Sequence, residues 1–127
     1  MGGPSAEREV SLSSGRECAN ALRVAGYEVI EVELGPDRGG ALVARLTDLR
    51  CDVVFNELHG RWGEDGCVQG ILEWLDLPYT HSGVLASALA MDKTRAKQVF
   101  RDAGLPVVES VLARREDVRA RHVLPPP

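Results

Sequence analysis

The sequence predicts an α/β fold in which helices cover both faces of a mainly parallel sheet, giving three layers. Helical and strand periodicities alternate along the 127 residues, and such alternation favours a parallel sheet. The run at residues 52–56 (DVVFN) is almost continuously apolar, which is typical of a parallel strand buried on both faces. With 44% hydrophobic but only 5% aromatic residues, the core is expected to consist mainly of Val, Leu, Ile and Ala.

Each predicted element rests on a local pattern. In order, they are a helix over about residues 10–25, a strand over 27–34, a helix over 42–49, the strand at 52–56, a helix over 68–75, a short strand over 78–80, a helix beginning near Val84, a helix over 93–103 and a strand over 106–112. Apolar residues recur at helical spacing in the helices. β-Branched residues are frequent in the first strand (YEVIEVEL), as strands prefer.

Capping residues mark where these helices begin and end. Ser5 offers an N-cap oxygen to the first helix, and Asp92 offers one to the helix over 93–103. Gly26 and Gly104 follow helices in the position where glycine ends them.

Charge and hydropathy argue against two classes of partner. The chain has 15 Lys and Arg against 19 Asp and Glu, a net charge of −4, so it lacks the basic surface that non-specific nucleic-acid binding requires. No apolar run approaches the roughly 20 residues that span a bilayer, so no membrane partner is expected. The cysteines, Cys18, Cys51 and Cys67, are odd in number and widely spaced, which favours reduced thiols in a cytoplasmic protein over disulfides or a zinc site.

The pattern of elements is expected to continue beyond both ends of the chain. A first parallel strand is expected before Gly2, where only Met1 stands. At the other end, the sequence stops at three prolines (125–127) just after a predicted strand and a charged stretch.

The first candidate loop, residues 2–7 (GGPSAE), lies where a parallel sheet binds ligands, beyond a strand end. Its Glu7 could hold a substrate ammonium group. From the pattern alone, the favoured interpretation is a first-turn carboxylate that stabilises the helix dipole. Neither the phosphate loop G-x-x-x-x-G-K-[ST] nor the dinucleotide fingerprint G-x-G-x-x-G is present.

The second candidate loop, residues 57–66 (ELHGRWGEDG), follows the apolar 52–56 run. It places His59, Arg61, Glu64 and Asp65 among three glycines. Each has a structural alternative: a backbone hydrogen bond for the histidine, solvation for the arginine and the glutamate, and a helix cap for the aspartate. His59 is favoured as a ligand contact, because an imidazole titrates near neutrality and can donate a proton while neutral.

A third stretch, residues 88–97 (ALAMDKTRAK), brings Lys93, Arg95 and Lys97 to a predicted helix start. A lysine there can meet a phosphate group as a point charge. The usual alternative for such a run is a solvated basic face.

These stretches together resemble the amino-terminal portion of the D-alanine–D-alanine ligase family. The stretches that carry the resemblance are GGPSAEREVSLSSG, FNELHGRWGEDGCVQGILEWLDLPYTHSG and ASALAMDKTRAK, and it extends over nearly all of residues 1–113. It implies the ATP-grasp superfamily. The expected organisation is a substrate-binding, pre-ATP-grasp (Rossmann-like) α/β domain at 1–88, followed at 89–127 by the truncated start of an ATP-grasp domain.

The resemblance also implies a reaction for peptidoglycan synthesis. ATP phosphorylates the carboxylate of one D-alanine to an acyl phosphate, the amine of a second D-alanine attacks it, and phosphate leaves. The implied cofactors are ATP and Mg²⁺, and the full-length enzyme is expected to be a cytoplasmic homodimer. The magnesium-binding carboxylates and the remaining catalytic groups of the family have no counterpart before Pro127, so the chain alone is expected to be inactive.

Individual residues take their roles from the same resemblance. Glu7 matches the family glutamate that binds the ammonium group of the first D-alanine, which reverses the preference from pattern alone. His59 matches a histidine lining the same pocket, and Lys93 matches a lysine that contacts ATP. Val10 and Ser11 lie where the family encloses the first substrate.

Other interpretations remain beside this one. Trp62 departs from the family pattern, in which small or polar residues are usual at that place. A non-catalytic domain that binds a small ligand or dimerises is an alternative of another class. A nicotinamide-dependent oxidoreductase is disfavoured by the missing glycine fingerprint.

Overall fold

The computed structural model describes residues 1–35 and 40–116, and its regular structure there is almost entirely helical. Its helices are α1 (Arg8–Val24), α2 (Gly40–Asp48), α3 (Cys67–Trp74), α4 (Val84–Met91) and α5 (Lys93–Asp102). Each begins within a few residues of the helix predicted there, so the helical periodicities are confirmed. Gly26 and Gly104 follow α1 and α5 with φ values of +93° and +74°, as their predicted role in ending these helices requires.

The predicted sheet is present only as two isolated parallel β-bridges, between Gly2 and Leu34 and between Val54 and Tyr79. The three-layer parallel sheet is therefore not confirmed. The segments at 27–34, 52–56 and 78–80 each contribute one bridge residue, and 106–112 contributes none.

The bridge at Leu34 is held by a short ladder of backbone hydrogen bonds. The N–H of Gly3 donates to the carbonyl of Leu34 at 3.0 Å, and the N–H of Leu34 donates to the carbonyl of Met1 at 3.0 Å. The Met1 ammonium group donates to the carbonyl of Val32, also at 3.0 Å. Residues 1–3 thus run parallel to the 32–34 segment.

The second bridge joins the residues before the second candidate loop to those after α3. The N–H of Val54 donates to the carbonyl of Pro78 at 2.8 Å, and the N–H of Thr80 donates to the carbonyl of Val54 at 3.0 Å. This pairing fixes where the chain enters the loop at 57–66.

The core lies between α2, α3 and the Val54–Tyr79 bridge. Leu46, Val68 and Leu72 are buried and in mutual contact, and partly buried leucines of α2 and α3 surround them. Helix α1 buries one face, which consists of Ser11, Leu12, Gly15 and Ala19. These contacts place the amino end of α1 beside the second candidate loop.

The predicted N-caps have different outcomes. Asp92 caps α5, because its carboxylate accepts hydrogen bonds from the N–H groups of Thr94 and Arg95 at 3.1 Å each. The prediction for Ser5 was wrong: the N-cap of α1 is Glu7, which makes no side-chain cap. The Ser5 hydroxyl accepts from the N–H of Glu7 instead, at 3.1 Å, so it stabilises the turn before the helix.

The chain divides into two compact units, Met1–Met91 and Asp92–Pro127. The predicted domain boundary was between residues 88 and 89, and the roles assigned to the two parts stay predictions. Helices α1 to α4 belong to the first unit. In the second, Lys97 of α5 donates a hydrogen bond to the carbonyl of Val108 at 2.9 Å. Within the described ranges, no helix is both long enough and apolar enough to cross a membrane.

Candidate functional site

The two glycine-rich loops of the first unit meet at Glu7 and Gly60. A Cβ atom placed on Gly60 would lie 2.6 Å from Oε2 of Glu7 and 3.4 Å from Cβ of Ser5. Any other residue at Gly60 would therefore have to displace the Glu7 carboxylate or the loop. Gly60 also has a φ of +69°, in the left-handed region that favours glycine.

Ser11 ties the first loop to the second from below. Its side chain is fully buried, its hydroxyl accepts a hydrogen bond from the N–H of Gly2 at 2.8 Å, and it donates to the backbone carbonyl of Glu57. Because buried polar groups are costly without partners, this double contact fixes the separation of the two loops at their roots.

The second loop is braced by hydrogen bonds within it. The carbonyl of Gly60 accepts from the N–H groups of Gly63 and Glu64, at 3.2 and 3.0 Å. The Glu64 carboxylate accepts from the N–H of Gly60 at 2.6 Å. Side-chain amides of Asn56 and Gln69 both donate to the carbonyl of Gly63, at 3.0 and 2.9 Å. The loop is thus held at both ends of its turn.

His59 lies between α1 and the carboxylates of the second loop. Its Nε2 is 3.1 Å from the hydroxyl of Ser14 on α1. The same nitrogen is 3.8 Å from the Glu57 carboxylate, and Nδ1 is 3.9 Å from that of Glu64. The imidazole is about one-third exposed, at 31%, so it is held in place yet open to a ligand.

The surroundings of His59 favour a positively charged ligand. Glu7, Glu57 and Glu64 bring three carboxylates to the two loops. The nearest arginine of α1, Arg8, is paired with Glu33 at 2.5 Å, and the guanidinium of the loop arginine lies over the Trp62 ring at 4.7 Å. A compact ammonium group would find excess negative charge here. The arrangement suits the binding of an amine more than the binding of a phosphate.

Trp62 occupies a backbone conformation that glycine favours. Its φ is +81°, which is uncommon for a bulky residue. Its carbonyl accepts a hydrogen bond from the N–H of Val68 at 3.0 Å, which ties the turn to α3. The sequence marked Trp62 as a departure from the family pattern, and its left-handed backbone shows why a small residue suits this place.

Asp65 has the structural role that the sequence offered as its alternative. Its carboxylate accepts a hydrogen bond from the N–H of Cys67, the first residue of α3, at 3.1 Å. Desolvation opposes ionisation, but hydrogen bonds from the side chain and backbone of Cys67 and from the backbone of Trp62 prevail and lower the pKa of Asp65. The residue stabilises the start of α3.

Cys18 of α1 lies against the carboxylate of Glu57, with 3.7 Å between Sγ and Oε1. Desolvation and the nearby charge of Glu57 raise the pKa of this thiol. A raised pKa keeps the thiol protonated and weakly nucleophilic, which agrees with the structural role expected of the cysteines.

The structure brings some of the candidate residues together and separates others. Glu7 and His59 lie on the two adjoining loops, and the Glu7 side chain is exposed. Val10 is 59% exposed on the first turn of α1. Ser11 is buried with its hydroxyl in use, so any contribution to a substrate site is through loop position. Lys93 is the exposed first residue of α5, in the second unit.

Sequence reasoning missed the parts played by Ser14 and by Glu57. Ser14 holds His59, and Glu57 approaches both His59 and Cys18. A signal for Ser14 was present: Glu7, Ser11 and Ser14 are spaced i, i+4 and i+7, which places them on one helical face. No comparable signal identified Glu57, since its neighbours are distant in sequence.

A metal site is not built from these side chains. Across residues 1–35 and 40–116, no group of three or more His, Cys, Asp and Glu residues has the arrangement to hold a metal ion.

Comparison with known proteins identifies the family in which such loops occur. The family model described as "D-ala D-ala ligase N-terminus" matches residues 42–82. The D-alanine–D-alanine ligase of Ruegeria sp. (strain TM1040) is 72% identical over all 127 residues, which cover 40% of its length. That of Dinoroseobacter shibae is 68% identical over the same span, again 40% of its length.

The chain matches the amino-terminal portion of D-alanine–D-alanine ligase. It spans about two fifths of the length of these curated relatives. A solved structure agrees: the D-alanine–D-alanine ligase of Bacillus anthracis superposes with a TM-score of 0.71 at 38% identity, covering 82% of this chain and 33% of that one. The same enzyme complexed with ATP superposes with an equal score. The resemblance found in the sequence is thereby confirmed.

Proposed function

We propose that this chain supplies the first D-alanine site of an ATP-dependent D-alanine–D-alanine ligase. In the proposed reaction, the γ-phosphoryl group of ATP passes to the carboxylate of one D-alanine, giving an acyl phosphate and ADP. The amine of a second D-alanine attacks the acyl carbon, and inorganic phosphate leaves. The similarity along the whole chain to ligases of this name supports the proposal.

Glu7 carries the proposal at the level of the site. Its carboxylate lies against Gly60 at the meeting point of the two loops, in surroundings richer in carboxylates than in unpaired cations. It holds the ammonium group of the first D-alanine there. An ammonium held by a charged partner leaves the substrate carboxylate free to point away, toward the phosphoryl donor.

His59 lines the same pocket and is positioned by Ser14. The 3.1 Å contact between them fixes the imidazole, so that it can donate to or accept from the substrate without first being ordered. Val10 and Ser11 enclose the substrate from α1, Ser11 by fixing the spacing of the two loops and Val10 by its exposed apolar surface.

Lys93 contacts ATP in this proposal. It is the first residue of α5 and is exposed, and its ammonium can meet phosphate oxygens as a point charge. Mg²⁺ belongs to the reaction of the whole enzyme, where it would neutralise phosphate charge. The described residues offer no ligand group for it, so this chain's own contribution is binding and orientation.

The wider setting belongs to the same proposal. The dipeptide serves peptidoglycan synthesis and so cell-wall growth, the enzyme acts in the cytoplasm, and the full-length protein is a homodimer. In the whole enzyme the segments at 27–34, 52–56 and 78–80 belong to a three-layer parallel sheet, which the parallel sense of both bridges supports. Unpaired cysteines suit a reducing compartment.

A chimera tests the proposal directly. The matching residues of the Ruegeria ligase are replaced by this chain, and D-alanyl-D-alanine formation is followed with ATP, magnesium and D-alanine. We expect dipeptide and ADP in equal amounts. The parent ligase is the control. A chimera that folds and binds ATP but forms no dipeptide, under conditions where the parent does, would contradict the proposal.

A further inference from the structure

A groove of about 660 Å³ runs through the first unit, outside the candidate site's two turns. One wall is the 27–34 segment, the other is the 50–58 segment, and helices α1 and α2 close it on their apolar sides. Ile30, Val53 and Phe55 line it and are 54%, 52% and 43% exposed. These residues were expected inside a sheet, and the groove is where their burial is incomplete.

The first wall offers an unpaired backbone edge. The carbonyl of Val32 and both backbone groups of Leu34 bond to residues 1–3, so even-numbered residues of this segment turn their polar groups toward that side. The odd-numbered residues Val29 and Glu33 turn theirs to arginines on the other side. Among the described residues, nothing bonds to the N–H of Val32 or to either backbone group of Ile30.

The second wall offers a matching edge. Val54 uses its N–H and carbonyl to bond the 78–80 segment. Val53 and Phe55, on either side of it, point their backbone groups the opposite way, because bonding direction alternates along a strand. No partner for these groups is found in residues 1–35 and 40–116. The groove therefore has donors and acceptors on both walls.

The floor of the groove continues the path of residues 1–3. The Met1 side chain packs on Gly15 of α1, where a Cβ would lie 2.7 Å from that of Met1. Ala19 and Leu22 follow at i+4 and i+7 on the same helical face and line the groove. A chain that continued backward from Met1 would lie over these residues.

We propose that the groove is a docking site for one apolar β-strand that runs parallel to the 28–34 segment. The occupant is a short peptide with apolar side chains and a free carboxylate. Its orientation follows from the ladder at residues 1–3, which is parallel to Leu34, and its carboxylate lies beside the Met1 ammonium group. Backbone bonds to both walls supply affinity, as in other cases of strand addition.

Charge and sequence select this occupant over a second copy of the chain. Burial lowers the pKa of the Met1 ammonium group, so an anionic partner would offset the cost of its desolvation. The chain's own carboxyl end reads VLPPP, and prolines cannot donate the ladder hydrogen bonds that the walls require. The inference does not depend on the proposed reaction.

The test uses the full chain and the peptide acetyl-Val-Val-Ala-Val-Leu with a free carboxylate. We expect saturable one-to-one binding. Hydrogen exchange at the amides of Ile30, Val32, Val53 and Phe55 is expected to slow by about tenfold or more on saturation. Amides of α5 are expected to be unchanged. Absence of binding, or protection spread equally over α5, would overturn the proposal.

Matched peptides and one variant sharpen the result. Placing proline at the central position removes a ladder donor and should weaken binding by about tenfold or more, while amidating the carboxyl end should weaken it less. Ala19→Leu fills the floor and should weaken binding of the original peptide. Its fold is checked by circular dichroism, and the proline peptide decides the question if that variant is unfolded. Equal binding of the proline peptide, or peptide-sensitive self-association that fills the groove without it, would count against the proposal.

Discussion

Lys93 has a proposed role that separates cleanly from that of Glu7. In the chimera with the Ruegeria ligase, Lys93→Ala is expected to raise the KM for ATP by about tenfold or more, because a hydrogen bond to a charged group contributes about 1.5–3 kcal/mol. The KM for D-alanine should stay within twofold. Steady-state kinetics with each substrate varied in turn measures both.

Arg101 provides the matched control for Lys93. It is an exposed basic residue in the last turn of the same helix, so Arg101→Ala removes an equal charge from the other end. We expect its KM for ATP to be unchanged. A rise in the D-alanine constant alone for Lys93→Ala would show that the residue acts at the other substrate.

Residue roles differ in how far the sequence could predict them. His59 was expected at a ligand site and lies there beside three carboxylates. Ser11 was expected to enclose substrate, yet it is buried and joins two loops. Its spacing of four residues from Gly15 and eight from Ala19 placed it on the buried face of α1, but a bond to a carbonyl 46 residues away has no local signature.

At the level of single elements, α5 depends on its cap. Asp92→Ala removes the acceptor for the N–H groups of Thr94 and Arg95 and should cost about 1 kcal/mol of helix stability. Amide exchange in the first turns of α5 should therefore become about fivefold faster. Hydrogen exchange followed by mass spectrometry measures this.

The control for the α5 cap is Glu109→Ala in the same unit. Glu109 is exposed, and its loss removes the same charge without touching the helix start. Equal exchange rates in the Asp92→Ala variant and the unaltered chain would show that this cap does not hold the helix in solution.

The start of α3 should carry a pH-dependent contribution from Asp65. The pKa of Asp65 is lowered in the fold, so its contribution is fully present above the unfolded pKa of about 3.9 and is lost as the pH falls through the folded pKa. At pH 7, Asp65→Ala should lower the free energy of unfolding by about 1 kcal/mol. The gap should shrink as the pH falls below about 4.

Urea denaturation at a series of pH values measures the Asp65 effect. Asp52→Ala is the control, since Asp52 is exposed and its removal costs the chain the same charge. A gap between Asp65→Ala and the unaltered chain that stays constant down to pH 3 would contradict the assignment.

Helices were predictable here because their hydrogen bonds are local, and strands were not because theirs are not. The spacing of Leu46, Val68 and Leu72 within their own segments suffices to predict the buried faces of α2 and α3. A β-branched run such as 27–34 forms a strand only when a neighbour supplies partners for its backbone. That segment has a neighbour only at its end, by Leu34, so pairing stops where residues 1–3 stop.

For the whole molecule, the chain alone is expected to form no dipeptide. It spans two fifths of the length of related ligases, and an acyl phosphate survives only in a closed pocket from which water is excluded. Purified residues 1–127 with ATP, magnesium and D-alanine should give no dipeptide above the background without enzyme. Dipeptide formation that Glu7→Gln abolishes would show that the chain carries the chemistry unaided.

The central claim is that this chain holds the ammonium group of the first D-alanine through Glu7. The most direct measurement is kcat/KM for that substrate in the chimera carrying Glu7→Gln, with Glu9→Gln as the control for loss of a neighbouring charge. Breaking a charge pair that the closed enzyme buries costs about 3–5 kcal/mol, so we expect a fall of about a hundredfold or more. The control should stay near the unaltered chimera. Near-normal turnover in the Glu7→Gln chimera would contradict the claim.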